Sequence, residues 1–413
     1  MSGSIRSLGN KIERFLKLFP VVLLTGVRQC GKTTLIRSLR PDWKYFDLEK
    51  GSDYDRVSRD YDFFFKEHPR HLIIDEAQTA PRLFNELRGV IDQDRHAKGR
   101  FILSGSSSLE LQQQISESLA GRVAMIELGT LKMSEFYKRP LPAFYNIFEH
   151  KINLQDTAYL KHLQTDLALQ DVKNFFLRGG YPEPVLSKDP DFFKIWMEQY
   201  FDAYVHRDIQ RLFPKLNKIT FRRFIMMLGA LSGTIVNRAE LGRSLDISEV
   251  TVKEYLDIAH GTFVWRNVPA FHKSGIRSLI KSPKGYIRDA GLNHFLLKIN
   301  STEDLENHPR VGTLFEAFVM EEIIKGLGCS NVVAWNNYYY RTKNGAEIDL
   351  ILEGDFGLVP IEIKYGIHTP APKLKALSQF VKNHHLPFGI VINQGDAVEM
   401  LNDHIIQIPA ALI

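Results

Sequence analysis

Cysteine is nearly absent from this 413-residue chain. Cys30 and Cys329 are the only two, which excludes a disulfide framework and a cysteine-built zinc site and predicts a reducing, cytoplasmic setting. No run of 18 apolar residues occurs, and Met1-Ser2-Gly3-Ser4-Ile5-Arg6 has neither the apolar core nor the cleavage site of a secretory leader, so no membrane span is predicted. Tandem repeats and low-complexity tracts are missing as well. The fourteen histidines show no zincin spacing, and His68, His71, His384 and His385 read as surface or core residues. With 44% hydrophobic and 24% charged residues, the chain has the composition of an ordinary globular protein of two to four domains.

The octet Gly26-Val27-Arg28-Gln29-Cys30-Gly31-Lys32-Thr33 follows the apolar run Val21-Val22-Leu23-Leu24 and precedes a helix-prone segment. This is the setting of a phosphate-binding loop. Gly26 and Gly31 let successive backbone N–H groups turn toward the phosphates, Lys32 reaches the β- and γ-oxygens, Thr33 takes a Mg²⁺ position, and Thr34 joins the nucleotide contacts. ATP and Mg²⁺ are therefore the expected cofactors. Downstream, Leu72-Ile73-Ile74 reads as a buried parallel strand ending in Asp75-Glu76. Asp75 is placed in the Mg²⁺ shell and Glu76 where a carboxylate polarises the attacking water, which predicts hydrolysis. The next strand, Phe101-Ile102-Leu103, ends in Ser104-Gly105-Ser106-Ser107-Ser108, so Ser104 or Ser106 reads either as a γ-phosphate sensor or as plain loop chemistry. Arg122, opening the strand Ala124-Met125-Ile126-Glu127-Leu128, reads either as an arginine finger, within the subunit or from a neighbour, or as a surface salt bridge.

This order of motifs, with Asp47-Leu48-Glu49 on a further strand, resembles the AAA+ superfamily of ATPases. More narrowly it is similar to prokaryotic AAA-type ATPases with a C-terminal domain of long-uncertain function. Arg178-Gly179-Gly180-Tyr181-Pro182-Glu183 resembles the Gly-x-Pro element in the helical lid of the branch with origin-recognition and signal-transduction ATPases. That resemblance implies that Pro182 borders the adenine; a plain turn between helices is the alternative. For the lid arginine, Arg178 and Arg207 both qualify. The resemblance also implies a homo-oligomer, a ring by analogy.

The net charge of +5 is unevenly spread: residues 201–300 hold 16 Lys and Arg against 8 Asp and Glu. Such a surplus points to DNA or another polyanion. Within it, Asn237 is placed to cap one helix and Ser248 a second that ends at Gly261, a helix-turn-helix pattern. Two following strands read as a wing bearing Arg266, Lys273, Arg277, Lys281, Lys284 and Arg288. A basic wing suits phosphate contact, whereas Glu249 and Glu254 weaken a recognition helix in the major groove; subunit packing is the alternative use.

In the last third, a helix carrying Glu316 precedes a hairpin around Lys343-Asn344-Gly345 and a strand Leu358-Val359-Pro360-Ile361-Glu362-Ile363-Lys364. Glu362 and Lys364 share a face by the period-two alternation of a strand, and Asp349 ends the neighbouring strand. Asp349, Glu362 and Lys364, with Glu316 as the helical acid, resemble the PD-(D/E)xK nucleases, which implies metal-assisted phosphodiester hydrolysis or a fold kept for binding alone.

The expected architecture is α/β throughout: an AAA+ ATPase core over 1–150 built on a parallel sheet, a helical lid over 151–215, a winged helix over 216–298, and a restriction-endonuclease-like domain over 299–413. Ser301-Thr302-Glu303-Asp304 to His308-Pro309 reads as a polar linker. The function expected is ATP-driven DNA binding and remodelling or translocation; the alternative is a nucleotide-dependent switch of the signal-transduction type.

Overall fold

In the computed structural model, residues 6–106, 119–189, 191–272, 282–342 and 345–413 are described. The chain divides into two compact units, residues 1–131 with 261–264, and residues 132–260 with 265–413.

Unit 1 is built on five parallel strands, β1 (Val21–Thr25), β2 (Lys44–Asp47), β3 (Leu72–Asp75), β4 (Phe101–Gly105) and β5 (Val123–Glu127), in the order β2-β3-β4-β1-β5. The inner strands β1, β3 and β4 are buried at every residue, which is why they read as unbroken apolar runs rather than alternating ones. On one side Val21, Leu23, Ile74 and Leu103 pack with Phe64, Phe84 and Leu87 from the covering helices. Each strand runs the same way, so the tips after β1, β3 and β4 gather at one sheet edge, where open α/β sheets bind ligands.

Unit 2 begins with helices and carries two sheets. The first is β6 (Thr234–Ile235), β7 (Trp265–Val268) and β8 (Lys284–Ile287), in the order β6-β8-β7. Before them and between them lie the helices Lys218–Leu231, Arg238–Leu245 and Glu249–Gly261. The expected caps form: Asn237 accepts from Glu240 N–H and Ser248 from Thr251 N–H, while Asp246 turns the chain in the left-handed region. The second sheet comprises β9 (Asn336–Arg341), β10 (Glu347–Gly354), β11 (Gly357–Ile363), β12 (Gly389–Asn393), β13 (Glu399–Asn402) and β14 (Ile405–Pro409), ordered β13-β14-β12-β11-β10-β9. Strands β9, β10 and β11 form an antiparallel meander, and β12 joins β11 in parallel after the helix Lys375–Asn383. The helix Val311–Cys329 is buried over most of its length, with Phe315, Val319 and Ile323 in the same core as Leu350, Leu352 and Ile361.

The linker expected at 301–309 is not one. Ser301 caps a short helix, Thr302–Glu306, in a reciprocal arrangement with Asp304, and Leu305 is buried. A Ser-x-x-Asp spacing before a leucine is a helix start, and that signal outweighs the local polarity.

Candidate functional site

At the carboxyl edge of the sheet in unit 1, Gly26 (φ 151°) and Gly31 (φ 96°) hold backbone angles that side chains rarely adopt. A Cβ on Gly26 would stand 2.1 Å from the carbonyl oxygen of Leu128, so the first glycine is required by close approach as well as by φ. The Lys32 ammonium donates to the carbonyls of Gly26 (2.9 Å) and Val27 (3.1 Å), keeping its charge inside the turn. Thr34, one residue past Thr33, is exposed on the helix Lys32–Leu39.

Asp75 is the hub. Its Oδ2 accepts from Thr33 Oγ1 at 2.5 Å and from the Tyr45 hydroxyl at 2.9 Å, and its Oδ1 accepts from Ser104 and from Glu76 N–H. Burial, then the charge of Asp75, pushes the Tyr45 phenol well above its usual value, so it remains a donor. Burial is also the chief reason that Asp47, paired in register with Asp75, is pushed up. Glu76 sits in the left-handed region (φ 52°), an unfavourable conformation for a non-glycine residue of the kind that clusters at active sites. Its carboxylate accepts from Gln78 Nε2 (2.5 Å) and Ser106 Oγ (2.9 Å). The two serines therefore divide the labour: Ser104 orients Asp75, and Ser106 orients Glu76.

Tyr45, Gln78 and the two-bond pairing of Arg28 with Glu49 at 2.9 Å escaped the sequence reading. The signal for Tyr45 was its position two residues before Asp47 on a strand, hence on the same face. Gln78 carried no signal, because its reach depends on the turn at Glu76.

Arg122 does not join this group. Its guanidinium makes a two-bond pair with Asp92 (2.8 and 2.9 Å), and Arg122 with Arg95 holds the Asp92 carboxyl down to about 2. Val123 is in register with Val21 at the amino edge of the sheet and Glu127 with Thr25 at the phosphate edge. At about 3.3 Å per residue the offset is roughly 13 Å, which removes the within-subunit finger and supports the salt-bridge alternative.

In unit 2 the structure brings together the four residues Glu316, Asp349, Glu362 and Lys364. Asp349 Oδ2 accepts from Ile363 N–H at 2.8 Å, and the Lys364 ammonium lies 2.5 Å from Glu362 and 3.6 Å from Asp349. Burial opposes the charge on Lys364, but Asp349 and Glu362 outweigh it and raise its pKa. Burial followed by Asp349 pushes Glu316 up to about 7 and Glu362 up to about 8. Among the described residues no group of three or more His, Cys, Asp or Glu is disposed to hold a metal ion; a lysine stands between the two carboxylates to which the sequence reading gave one.

The wing cations require a correction. Lys284 is 6% exposed and its ammonium pairs with Glu316 (3.2 Å) and Glu347. Arg266 pairs with Glu321, as does Arg288 at 3.6 Å. These three face carboxylates of the same unit rather than a polyanion, because the acids absent from the wing's own sequence arrive from the helix Val311–Cys329 and from β10. Lys273, Arg277 and Lys281 lie outside the described residues, as do Ser107, Ser108, Lys343 and Asn344. Gly179 also has a local reason: a Cβ there would be 2.4 Å from Asp289 Oδ1, and the next N–H, of Gly180, donates to Asp289 Oδ2. Pro182 is the first residue of the helix Pro182–Leu186, where its missing N–H costs nothing. Arg178 is exposed, and Arg207 pairs with its neighbour Asp208.

The two raised carboxyls set a pH dependence. A carboxyl whose folded pKa lies above its unfolded value binds more protons in the native state, so stability falls as pH rises from about 4.5 through about 8. Urea unfolding of the full chain is expected to show a lower midpoint at pH 8.5 than at pH 6, with the difference reduced in Glu362→Gln; a pH-independent midpoint would rule this out.

Three family models match successive parts of the chain: "AAA domain" over residues 18–137, "Domain of unknown function (DUF8612)" over 169–303, and "Domain of unknown function (DUF4143)" over 311–413. Over 410 residues the chain is 32% identical to "Uncharacterized protein Rv2008c" of Mycobacterium tuberculosis, covering 98% of this chain and 83% of that protein. It is 23% identical over 360 residues to "Uncharacterized protein MJ1544" of Methanocaldococcus jannaschii, covering 82% and 74%. Among solved structures it is similar to the Walker-type ATPase PABY2304 of Pyrococcus abyssi, with a TM-score of 0.45, 14% identity, and coverage of 72% and 96%. The Thermotoga maritima RuvB Holliday junction branch migration motor follows at a TM-score of 0.29, 16% identity, and coverage of 63% and 89%.

Proposed function

Because this chain belongs to the family of the Mycobacterium tuberculosis protein Rv2008c and carries an AAA domain over residues 18–137, we propose that it is a nucleotide-dependent switch. Unit 1 hydrolyses ATP and unit 2 delivers the output. The observation that carries the hydrolytic part is the convergence of Thr33, Tyr45 and Ser104 on Asp75 beside a Glu76 held by Gln78 and Ser106.

The donors fit Mg²⁺. Thr33 Oγ1 and Asp75 Oδ2 are hard oxygen ligands 2.5 Å apart, the set that Mg²⁺ takes when phosphates and water complete its shell. When bound, Mg²⁺ supplies charge neutralisation for the β- and γ-oxygens. The chain's own residues do the rest: the loop N–H groups and Lys32 bind and orient the triphosphate, and Glu76 accepts a proton from the attacking water. Ser106 and Gln78 fix the direction of that carboxylate. Pro182 as a neighbour of the adenine, and Arg122 acting on a second copy within a homo-oligomer, belong to the same proposal.

For the output we read residues 216–298 as a winged helix and 299–413 as a PD-(D/E)xK-like domain. Supporting the first is the order β6-β8-β7 interleaved with three helices; supporting the second are the β9-β10-β11 meander and the parallel β12 after a helix. The switch is favoured over a DNA motor because Arg266, Lys284 and Arg288 are engaged by Glu316, Glu321 and Glu347. A second reading, DNA contact through the helix-turn-helix itself, is favoured by exposed Arg238, Arg243 and Lys253 on its two helices.

Steady-state ATP turnover measured alone and with single-stranded, duplex and branched DNA at fixed salt separates the two. Slow turnover indifferent to every DNA form is expected. Stimulation by one form, lost in Arg238→Ala/Arg243→Ala, would replace the switch with the DNA reading.

A further inference from the structure

We propose that Lys284 is an internal cation that holds the carboxylate cluster of unit 2 shut, in the seat that a divalent metal ion would otherwise take. The identity of the cluster as nuclease-like rests on the reading above; the lock itself rests on the contacts that follow.

Glu316 comes from the helix Val311–Cys329, Glu347 and Asp349 from one face of β10, and Glu362 from β11. Lys364, native to that sheet, serves Glu362 and Asp349. Lys284 comes from a different sheet and brings its ammonium to Glu316 and Glu347. Two residues along β8, hence on the same face, Tyr286 donates to Glu316 at 2.6 Å. Gly285 between them has no room for a side chain, since its Cβ would fall 1.8 Å from the Trp265 indole. Trp265 on the far side therefore pins the strand with Lys284 facing the acids.

The wing is fastened at further points. Beyond β7, Phe271 N–H donates to Tyr339 O and Tyr339 N–H to Pro269 O, which joins that segment to β9 at the edge of the larger sheet. Arg266 and Arg288 grip Glu321, one turn and a half along the same helix from Glu316.

Simple packing does not require a lysine here, because a buried ion pair is seldom more stabilising than apolar residues of equal volume. The cluster also retains acceptor capacity: Glu362 is 6% exposed and its Oε2 has no hydrogen-bond partner. Four carboxyls, Glu316, Glu347, Asp349 and Glu362, face Lys284, Lys364 and, at 3.9 Å from Glu347, Arg341, so acids outnumber cations. The geometry thus marks Lys284 as the removable cation, since it alone is carried by another sheet.

The test is Mn²⁺ binding to the full chain without nucleotide, read from the free-ion electron paramagnetic resonance signal. Lys284→Met is expected to gain one Mn²⁺ site that is lost again when Glu316→Gln or Asp349→Asn is added, while the wild type shows no binding sensitive to those two substitutions. The proposal is overturned if the wild type already binds Mn²⁺ in a manner that Asp349→Asn abolishes, or if folded Lys284→Met gains no site. Should Lys284→Met lose its near-ultraviolet circular dichroism, Lys284→Met/Glu347→Gln, which removes one charge of each sign, is judged by the same two criteria. ATP turnover of the same samples separates a failure of the lock from a failure of the ATPase reading.

Discussion

Glu76→Gln is expected to lower the turnover number for ATP by about two to four orders of magnitude, the range for loss of a positioned general base, while nucleotide affinity is retained. The amide keeps the hydrogen-bonding shape beside Gln78 and Ser106 but cannot accept the proton of the attacking water. Lys32→Ala should behave differently. It removes the charge held inside the loop and is expected to lose binding first. Paired measurements of turnover and of fluorescent-nucleotide affinity distinguish the two. Equal loss of affinity in both variants would show that Glu76 positions nucleotide rather than water, and unaltered turnover in Glu76→Gln would remove it from the mechanism altogether.

Glu322→Leu is expected to destabilise unit 2 by about 3–5 kcal/mol, the cost of leaving one partner of a buried ion pair uncompensated. Lys132 and Glu322 are each 1% exposed at the side chain and lie 3.2 Å apart. Glu322 Oε2 also accepts from Met133 N–H at 2.9 Å, and Lys325 pairs with its other oxygen. Burial opposes the charge on Glu322, but Lys132 and Lys325 outweigh it and hold its carboxyl below the usual range. The substitution therefore strands the Lys132 ammonium and a backbone donor together. Lys132→Met should cost less, because Lys325 still neutralises Glu322, and Lys132→Met/Glu322→Leu should recover much of the loss. Urea unfolding with intrinsic fluorescence measures all three; a strictly additive double variant would show that the pair is not coupled.

The two predictions differ in how far they were readable in advance. Most of what Glu76→Gln uses was legible: the glycines at fixed offsets, Lys32-Thr33, and an apolar run ending in Asp75-Glu76 belong to local segments whose chemistry depends on a strand followed by a turn, whereas the Gln78 that holds the carboxylate was not. Nothing in the sequence flagged Lys132–Glu322, a pair 190 residues apart. The segment from Gly312 reads as the start of an amphipathic helix, but the helix Val311–Cys329 is buried over most of its length, and such helices leave little periodic signal to show which acid faces what.

The nucleotide loop, the five parallel strands that support it, the capped helices at 238 and 249, and the strand alternation that puts Glu362 and Lys364 on one face were all legible along the chain. These follow from spacing along a single segment, where backbone geometry fixes which side chains are neighbours. Which charges meet depends on the fold. It seated Arg122 on Asp92 at the far edge of the sheet, added Tyr45 to Asp75, and met Arg266, Lys284 and Arg288, which read as bare cations, with Glu316, Glu321 and Glu347. The physical reason is that a charge surplus is counted along the chain, whereas neutralisation is settled over a few ångströms in space, by carboxylates that the fold brings from elements far away in sequence.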